Sequence, residues 1–416
     1  MAKYYLKISR YRRRLFVLGC CLVLLSSCRI NQSTLEPAEL EHELAKVLVE
    51  FEANTRDFTA IQLHVEAPVM GVSWSGARGV RDKYTADAIK PDDTFRIASI
   101  TKTFVAVCVL RLHQDGLLSL DDSITKYVSP QHLEILTVGG YDVDAITIHH
   151  LLNHTSGLFD YGVGSSTYLE KVKARPQKTW TRTEQIQGGM DWGKPQGPPG
   201  GQYHYSDTGY VLLGEIIEHI SGKDLATALR EILRFDEAGL SKTWLESMEP
   251  AKDTTGRIHQ YFGDIDINEV SPTVDLYGGG GLVSTTKDVA RFFLSLHNGD
   301  YFSGSAPHPL YGTSYVRAAG AGLDDSVIKF DVAYTPDYRY GIERIEIMGY
   351  EAFFHSGIWG TWALVIPALN ASIVLNISNG AAGAMPLKQT VSLLARGMGS
   401  IQPKHSQSKH SQAGPN

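Results

Sequence analysis

The chain has 416 residues, of which 43% are hydrophobic and 20% charged. This composition excludes a disordered or collagen-like polymer, and the length suits one large or two interleaved globular domains. The formal charge of −6 becomes about −12 without residues 1–27, because that segment holds six basic residues and no acidic one. Phosphate backbones repel so acidic a chain, so we expect no nucleic-acid partner and favour small or neutral substrates.

The N-terminal segment has the pattern of an export signal. A basic stretch ends at Arg14, and the apolar run over residues 15–25 is too short to cross a bilayer comfortably. Leu25-Ser26-Ser27-Cys28 then resembles the bacterial lipoprotein box, in which the cysteine thiol receives a diacylglycerol after cleavage. We therefore expect an exported protein, held on a membrane by lipid at Cys28 and facing the periplasm or the cell exterior. An ordinary signal peptide or a membrane anchor is the alternative.

Hydrophobic periodicity predicts a mixture of helices and strands along the rest of the chain. The predicted helices cover residues 36–58, 101–114, 147–153, 208–221 and 387–398, and the predicted strands cover residues 69–80, 350–355, 361–366 and 372–377. The domain prediction is a signal peptide at 1–27, a tether and N-terminal helix at 28–64, a folded unit at 65–395 with a helical insert at about 120–270, and a low-complexity tail at 396–416.

Several familiar catalytic motifs are missing from the sequence. It contains no GxSxG elbow, no HExxH, no Walker loop and no CxxC pair. His150 and His154 have the spacing of metal ligands on one helix face, but no acidic residue or further histidine stands three or four residues from either to complete a site. We expect neither a metal nor any other cofactor.

The remaining candidate is a serine followed three residues later by a lysine, a spacing that puts the two side chains one helical turn apart. Five such pairs occur, and they begin at Ser99, Ser123, Ser284, Ser326 and Ser406. The first two are the same tetrapeptide, Ser-Ile-Thr-Lys. Ser99 precedes a long apolar helix, whose N-terminus favours developing negative charge, whereas Ser123 follows two aspartates in a turn-like stretch and is expected to cap a short helix. Ser99 and Lys102 are therefore the predicted pair.

With Ser99 and Lys102 chosen, the sequence resembles the serine β-lactamase and penicillin-binding-protein superfamily. The resemblance is to the branch of class C β-lactamases, D-alanyl-D-alanine carboxypeptidases and related esterases, and it covers most of residues 65–395. It also rests on HLLNHTSGL at 150–158, YSD at 205–207, GGLVST at 280–285 and HSG at 355–357. It implies an α/β (α+β) fold, in which an antiparallel sheet flanked by helices is built from both chain ends, with a mainly helical insert and the site between them.

The resemblance also implies catalytic roles. Ser99 would attack a carbonyl and form an acyl-enzyme, while Lys102 and Tyr205 share the removal and return of its proton. Ordinary lysine and tyrosine pKa values, near 10, are too high for a base at neutral pH, so the environment must shift one of them. A charged lysine beside Tyr205 would favour the phenolate, and burial would favour a neutral lysine; both routes stay open. The backbone N–H groups of Ser99 and Ile358 would form the oxyanion hole.

Two residues depart from the family pattern at positions expected to bind substrate. Tyr-Ser-Asn is usual where this chain has Tyr205-Ser206-Asp207, and an ionised aspartate only accepts hydrogen bonds. Asp207 would hold Lys102 charged and direct the mechanism toward Tyr205; alternatively it binds a substrate ammonium or stays protonated. In the segment formed by His355, Ser356 and Gly357, the histidine replaces a common lysine and attracts a substrate carboxylate less firmly. Two tryptophans that follow, Trp359 and Trp362, are either an aromatic wall or core strand residues.

The predicted function is that of a serine hydrolase acting on a peptide, amide or ester. D-Alanyl-D-alanine carboxypeptidase or esterase action is favoured over strong β-lactamase action, and the substrate is a small molecule or a peptide derived from peptidoglycan. The alternative, motivated by Asp207, is a non-catalytic binding or sensor protein of the cell envelope that kept the fold. The physiological substrate and the oligomeric state are left open.

Overall fold

The computed structural model describes residues 35–55, 58–162, 165–253, 256–303, 316–317, 337–379 and 385–399. The helices are α1 Pro37–Asn54, α2 Thr101–Gln114, α3 Pro130–Val138, α4 Ile148–Leu152, α5 Ser166–Ala174, α6 Arg182–Trp192, α7 Asp207–Ser221, α8 Leu225–Ile232, α9 Thr286–Asn298 and α10 Met385–Gly397. The strands are β1 Ala60–Ala67, β2 Val72–Gly79, β3 Phe95–Arg96, β4 Trp244–Leu245, β5 Tyr261–Phe262, β6 Ile265–Asp266, β7 Leu282–Ser284, β8 Val316–Arg317, β9 Asp337–Arg339, β10 Ile342–Ile347, β11 Tyr350–Gly357, β12 Thr361–Ile366 and β13 Ala371–Ile377. The predicted signal segment, Cys28 and most of the predicted tail lie outside the described residues.

The main sheet joins the two ends of the chain. Its strand order is β2-β1-β13-β12-β11-β10-β9-β8, with every neighbouring pair antiparallel. Strand β1 pairs with β13 in a register that places Ile61 opposite Ile377. This topology confirms the prediction of an antiparallel sheet built from both chain ends.

Both faces of the sheet are covered by helices. Alternate residues of β1, such as Leu63 and Val65, pack in a buried cluster with residues of α1 and α10. On the opposite face, Val374 and Ala363 join a larger cluster that includes α2 and α9. Because both faces are buried, β13 is apolar on nearly every residue and lacks the alternation expected of a half-exposed strand.

The segment between α2 and β7 is mainly helical, as predicted, and it packs on α2. Helix α2 is buried along most of its length and contacts α7 and α8. A three-stranded sheet of order β3-β7-β4 ties this region to the segment before α2, and the N–H of Ile97 donates to the carbonyl of Leu282 at 3.0 Å. These contacts fix the position of the chain that enters α2.

Several predicted elements match the structure closely. Helix α2 and strand β12 have the predicted bounds, while α1 and α10 end within four residues of theirs. The sequence reading missed β1 and five helices of the described part, namely α3, α5, α6, α8 and α9. None of the described helices combines the length and apolarity that crossing a membrane requires.

Candidate active site

Ser99 and Lys102 lie together where the chain enters α2. Ser99 is in a short 3-10 turn, Ala98–Ile100, that runs directly into the helix, and Lys102 is in the first turn of α2. Lys102 is fully buried, and its Nζ lies 3.0 Å from the Oγ of Ser99. Ser99 itself is partly exposed, so its hydroxyl stands at the surface above a buried amine.

Lys102 makes two further contacts with residues far away in the sequence. Its Nζ donates to the carbonyl of Gly279 at 2.6 Å and lies 2.5 Å from the Oδ1 of Asp207. Lys102 thus donates two hydrogen bonds, to Ser99 and Gly279, and forms an ion pair with Asp207. A buried ammonium without such partners would be strongly destabilising.

Tyr205 comes to the site on the segment that precedes α7. Ser206 caps the helix by accepting from the N–H of Gly209, and Asp207 is its first residue, where the helix dipole favours a carboxylate. The Nζ of Lys102 lies 4.9 Å from the centre of the Tyr205 ring, and the Ser99 hydroxyl is close enough to the Tyr205 phenol to influence its pKa. The structure thus brings Ser99, Lys102, Tyr205 and Asp207 together.

The electrostatics at Tyr205 differ from the sequence expectation. Desolvation of the phenol, and then the negative charge of Asp207, raise the pKa of Tyr205 well above its usual value, and the nearby Ser99 hydroxyl opposes them only in part. Asp207 therefore disfavours the phenolate instead of favouring it. The resting Tyr205 is a neutral phenol.

His355 lies at the end of β11 and is sealed from solvent. Its Nδ1 is 2.7 Å from the carbonyl oxygen of Ser356, which can only accept, so this nitrogen carries the proton and Nε2 accepts from the hydroxyl of Tyr338 at 3.2 Å. Burial, with the nearby Lys102 charge, lowers the pKa of His355 to about 3. His355 is accordingly neutral at pH 7 and both of its ring nitrogens are occupied.

The end of β11 touches the segment that carries Ser99. A Cβ on Gly357 would lie 2.4 Å from the carbonyl oxygen of Ile97, so only glycine permits this approach. The hydroxyl of Thr361 donates to that same carbonyl at 3.1 Å. Ser356 and Ile358 are partly exposed although their neighbours are buried, and they line the surface beside Ser99.

Sequence reasoning missed Asp275 and Gly279, which also form part of the site. The Oδ2 of Asp275 accepts from the Nε1 of Trp359 at 3.1 Å, and burial raises the pKa of Asp275 to about 6. The run of four glycines at 278–281 was the available signal, because glycine allows close approach of the backbone to other groups. Trp362 and Trp359 are both buried core residues, in different clusters, and Trp359 is the one that contacts Asp275.

The comparisons with known proteins agree with this fold. The sequence profile of the Beta-lactamase family matches residues 66–393, so the chain belongs to that family. It is 28% identical over 228 residues to Penicillin-binding protein 4* of Bacillus subtilis. This match covers 52% of the chain and 47% of the relative. It is 26% identical over 214 residues to the D-alanyl-D-alanine-carboxypeptidase/endopeptidase AmpH of Escherichia coli. This match covers 51% of the chain and 51% of AmpH. The chain thus spans about half the length of these curated relatives.

Solved structures show the same fold over most of the chain. D-Amino acid amidase from Ochrobactrum anthropi SV3, solved with D-phenylalanine, superposes with a TM-score of 0.66 at 23% identity. The superposition covers 86% of this chain and 98% of the amidase.

Proposed function

We propose that the protein is a serine hydrolase that forms an acyl-enzyme on Ser99. The observation that carries this proposal is the contact of the Ser99 hydroxyl with both Lys102, at 3.0 Å, and Tyr205. A serine becomes a nucleophile when a neighbouring group can take its proton, and here two candidate groups meet at one oxygen. Membership of the Beta-lactamase family supports this reading.

The hydrogen bonding suggests how the proton moves. Ser99 Oγ accepts from the Lys102 ammonium, so its own proton is free to point at the Tyr205 oxygen. As Ser99 attacks, its proton passes to Tyr205 while the phenol proton passes to the leaving nitrogen or oxygen. Tyr205 is then a neutral relay, and no phenolate has to accumulate. The Nζ of Lys102, 2.5 Å from Asp207 and 3.0 Å from Ser99 Oγ, lies where it stabilises the negative charge that develops nearby.

The oxyanion hole in this mechanism is formed by the backbone N–H groups of Ser99 and Ile358. Contact between Gly357 and the segment before Ser99 supports this assignment. Each such donor contributes about 3 kcal/mol to stabilising the transition state. Water then attacks the acyl-enzyme, and the proton transfers through Tyr205 run in reverse. This step returns the proton to Ser99 and releases the acid.

The substrate class is a peptide, an amide or an ester. The relatives named above include a D-alanyl-D-alanine carboxypeptidase/endopeptidase, and the chain shares its fold with a D-amino acid amidase. His355 is neutral and its nitrogens are occupied, so it offers a substrate carboxylate little attraction. This favours amides, esters and internal peptide bonds over peptides that end in a free carboxylate, and it argues against strong β-lactamase action.

A side-by-side screen tests the proposal. The purified protein is treated with a fluorophosphonate probe and a fluorescent penicillin, then assayed with p-nitrophenyl esters, D-amino-acid amides, D-alanyl-D-alanine peptides and nitrocefin. We expect covalent labelling of Ser99 and turnover of the uncharged esters and amides. If the purified protein has an intact Ser99 but is neither labelled by the probes nor active on any of the substrates, the proposal is refuted.

The second candidate is a non-catalytic binding or sensor protein of the cell envelope. Asp207 favours it, because this carboxylate pairs with Lys102 and raises the pKa of Tyr205. This candidate predicts an inactive wild type in which Asp207→Asn creates hydrolysis. Substantial turnover by the wild type would exclude it.

The cellular placement in this proposal is a lipid anchor at Cys28 that holds a catalytic unit of residues 65–395, with its helical insert, outside the cytoplasm. Metabolic labelling with a palmitate analogue tests it. We expect label on the wild type and none on Cys28→Ala, and unlabelled wild type would contradict the anchor.

A further inference from the structure

The segment that carries Tyr205 is bound on both sides by one residue, His154. The N–H of His204 donates to the carbonyl of His154 at 2.8 Å, and the N–H of Ser206 donates to its ring Nδ1 at 3.1 Å. Tyr205 is the residue between these two bonds. A single histidine thus fixes the backbone immediately before and immediately after the phenol.

The ring of His154 also packs on the phenol itself. The ring centroids of His154 and Tyr205 are 4.4 Å apart, at an interplanar angle of 37°, and His154 is buried. The histidine ring also lies 4.6 Å from the ring of Tyr338, whose hydroxyl is hydrogen-bonded to His355. The position of the Tyr205 side chain, as well as that of its backbone, depends on this ring.

The hydrogen bond to Ser206 defines the state of the histidine. Nδ1 accepts, so the proton of the neutral ring is on Nε2, a buried atom without a hydrogen-bond partner in the described part of the chain. Burial, with the charges of Lys102 and His355, lowers the pKa of His154 well below its usual value. Nδ1 of His154 therefore remains a hydrogen-bond acceptor throughout the neutral pH range.

The backbone of His154 is adapted to this double contact. Its φ is +59°, a left-handed conformation that L-residues other than glycine rarely adopt. This conformation lets the carbonyl and the ring face the same passing segment. Asparagine tolerates it better than most residues and also places an acceptor at the δ position.

We propose that His154 is the positioning residue for Tyr205, because it holds the phenol against Ser99 through its carbonyl, its Nδ1 and its ring face. This inference rests on the proposed role of Tyr205 in proton transfer. It requires an acceptor at the δ position of residue 154, and it gives the histidine no contact with substrate. An acceptor one bond farther out, at the Nε2 position, does not replace it.

Three variants of the full chain test this requirement. His154→Asn keeps a δ acceptor, His154→Gln moves the acceptor to the ε position, and His154→Ala removes it. Rates are measured with a p-nitrophenyl ester and divided by the number of Ser99 sites that a fluorophosphonate labels. We expect kcat to fall about 100-fold in the glutamine and alanine variants, with KM within about threefold, because misplacing a catalytic group by 1 Å has an effect of this size. The asparagine variant should stay within about fivefold of wild type.

His150 provides the matched control. Its Nδ1 also accepts a backbone N–H, that of Thr147 at 3.2 Å, but it does not contact the segment with Tyr205. His150→Ala should lower thermal stability and leave kcat within about twofold. The proposal is overturned if His154→Gln keeps wild-type kcat, or if His154→Asn loses as much as His154→Ala.

Crystal structures of the same variants provide a test that needs no activity. We expect the Tyr205 hydroxyl to remain within hydrogen-bonding distance of Ser99 in His154→Asn and to move by about 1 Å or more in His154→Gln. An unmoved Tyr205 in His154→Gln would overturn the positioning role. A wild type that neither labels nor turns over refutes the proposed function instead, and the crystal structures still decide the role of His154.

Discussion

Two copies of the tetrapeptide Ser-Ile-Thr-Lys lie in very different surroundings. Each includes part of a 3-10 turn, Ala98–Ile100 in the first copy and Ile124–Lys126 in the second. Lys102 is fully buried, whereas the Lys126 side chain is 58% exposed. Ser99 accepts from Lys102, but Ser123 caps its own turn by accepting from the N–H of Thr125 at 3.3 Å.

The second copy even has its own aspartate and tyrosine. Lys126 pairs with Asp122, and the hydroxyl of Tyr127 donates to Asp122 at 2.6 Å. These partners are all within five residues of one another, while the partners of Lys102 come from positions 207 and 279. Tertiary contacts, not the tetrapeptide, therefore make the first copy a candidate site and leave the second a helix cap.

The largest contrast is expected from the two serines. Ser99→Ala removes the proposed nucleophile and should lower kcat/KM for a p-nitrophenyl ester by about 10⁴-fold or more. Ser123→Ala removes only a cap, which is worth about 1 kcal/mol, and should leave the rate within twofold. Steady-state kinetics on both variants measure the contrast. If both variants lose the same kcat/KM, or if Ser99→Ala loses none, Ser99 is not the nucleophile.

The two lysines should differ in stability as well as in rate. Lys102→Met leaves the buried Asp207 without its cation and should lower the free energy of unfolding by about 3 to 5 kcal/mol. Lys126→Met breaks an exposed pair, for which at most about 1 kcal/mol is expected. Urea unfolding measures both changes.

A double variant completes the lysine experiment. Lys102→Met combined with Asp207→Asn removes the charges together and should recover much of the lost stability, although not the activity. A double variant as unstable as the sum of the single variants would show that the ion pair is not coupled as the structure indicates.

The sequence predicted those parts of the fold whose signals are local. Helix α2 follows from its apolar run and its end near Asp115-Gly116, and β12 from a short apolar stretch beside turn residues. Strand β1 was missed although its sequence, AIQLHVEA, alternates apolar and polar residues as a strand does. Its polar residues Gln62 and His64 are buried all the same, because the second face of the sheet is covered as well. Helix α8, only eight residues long, has few turns in which a period can be recognised.

For the candidate site, the sequence supplied the residue types but not their electrostatics. Ser99, Lys102 and Tyr205 were chosen by motif, and the structure brings them together. The direct effect of Asp207 on the pKa of Tyr205 was not predicted, because it depends on burial and on a distance that no motif encodes. Asp275 belongs to no motif and enters the site only through the fold around Trp359.

The surroundings of Lys102 should also make stability sensitive to acid. The pKa of His355 in the folded protein is about 3, below the ordinary value near 6.5, so the unfolded chain binds a proton that the folded chain does not. Stability should therefore decline as pH falls below 6.5, by about 2 kcal/mol between pH 6.5 and 5 for this histidine. His355→Gln should reduce the decline by that amount, and Lys126→Met should not change it. Urea unfolding of the wild type and both variants at a series of pH values measures this decline.

The smallest expected effect concerns the two aspartate and tyrosine pairs. Asp207 raises the pKa of Tyr205, so Asp207→Asn should move the limb of the pH-rate profile that Tyr205 governs to lower pH. In the second copy, burial and Asp122 raise the pKa of Tyr127 to about 12. Asp122→Asn should change the spectroscopic titration of Tyr127 and leave the pH-rate profile unchanged. A profile that responds to Asp122→Asn, or ignores Asp207→Asn, would mean that Tyr205 does not carry the proton of Ser99.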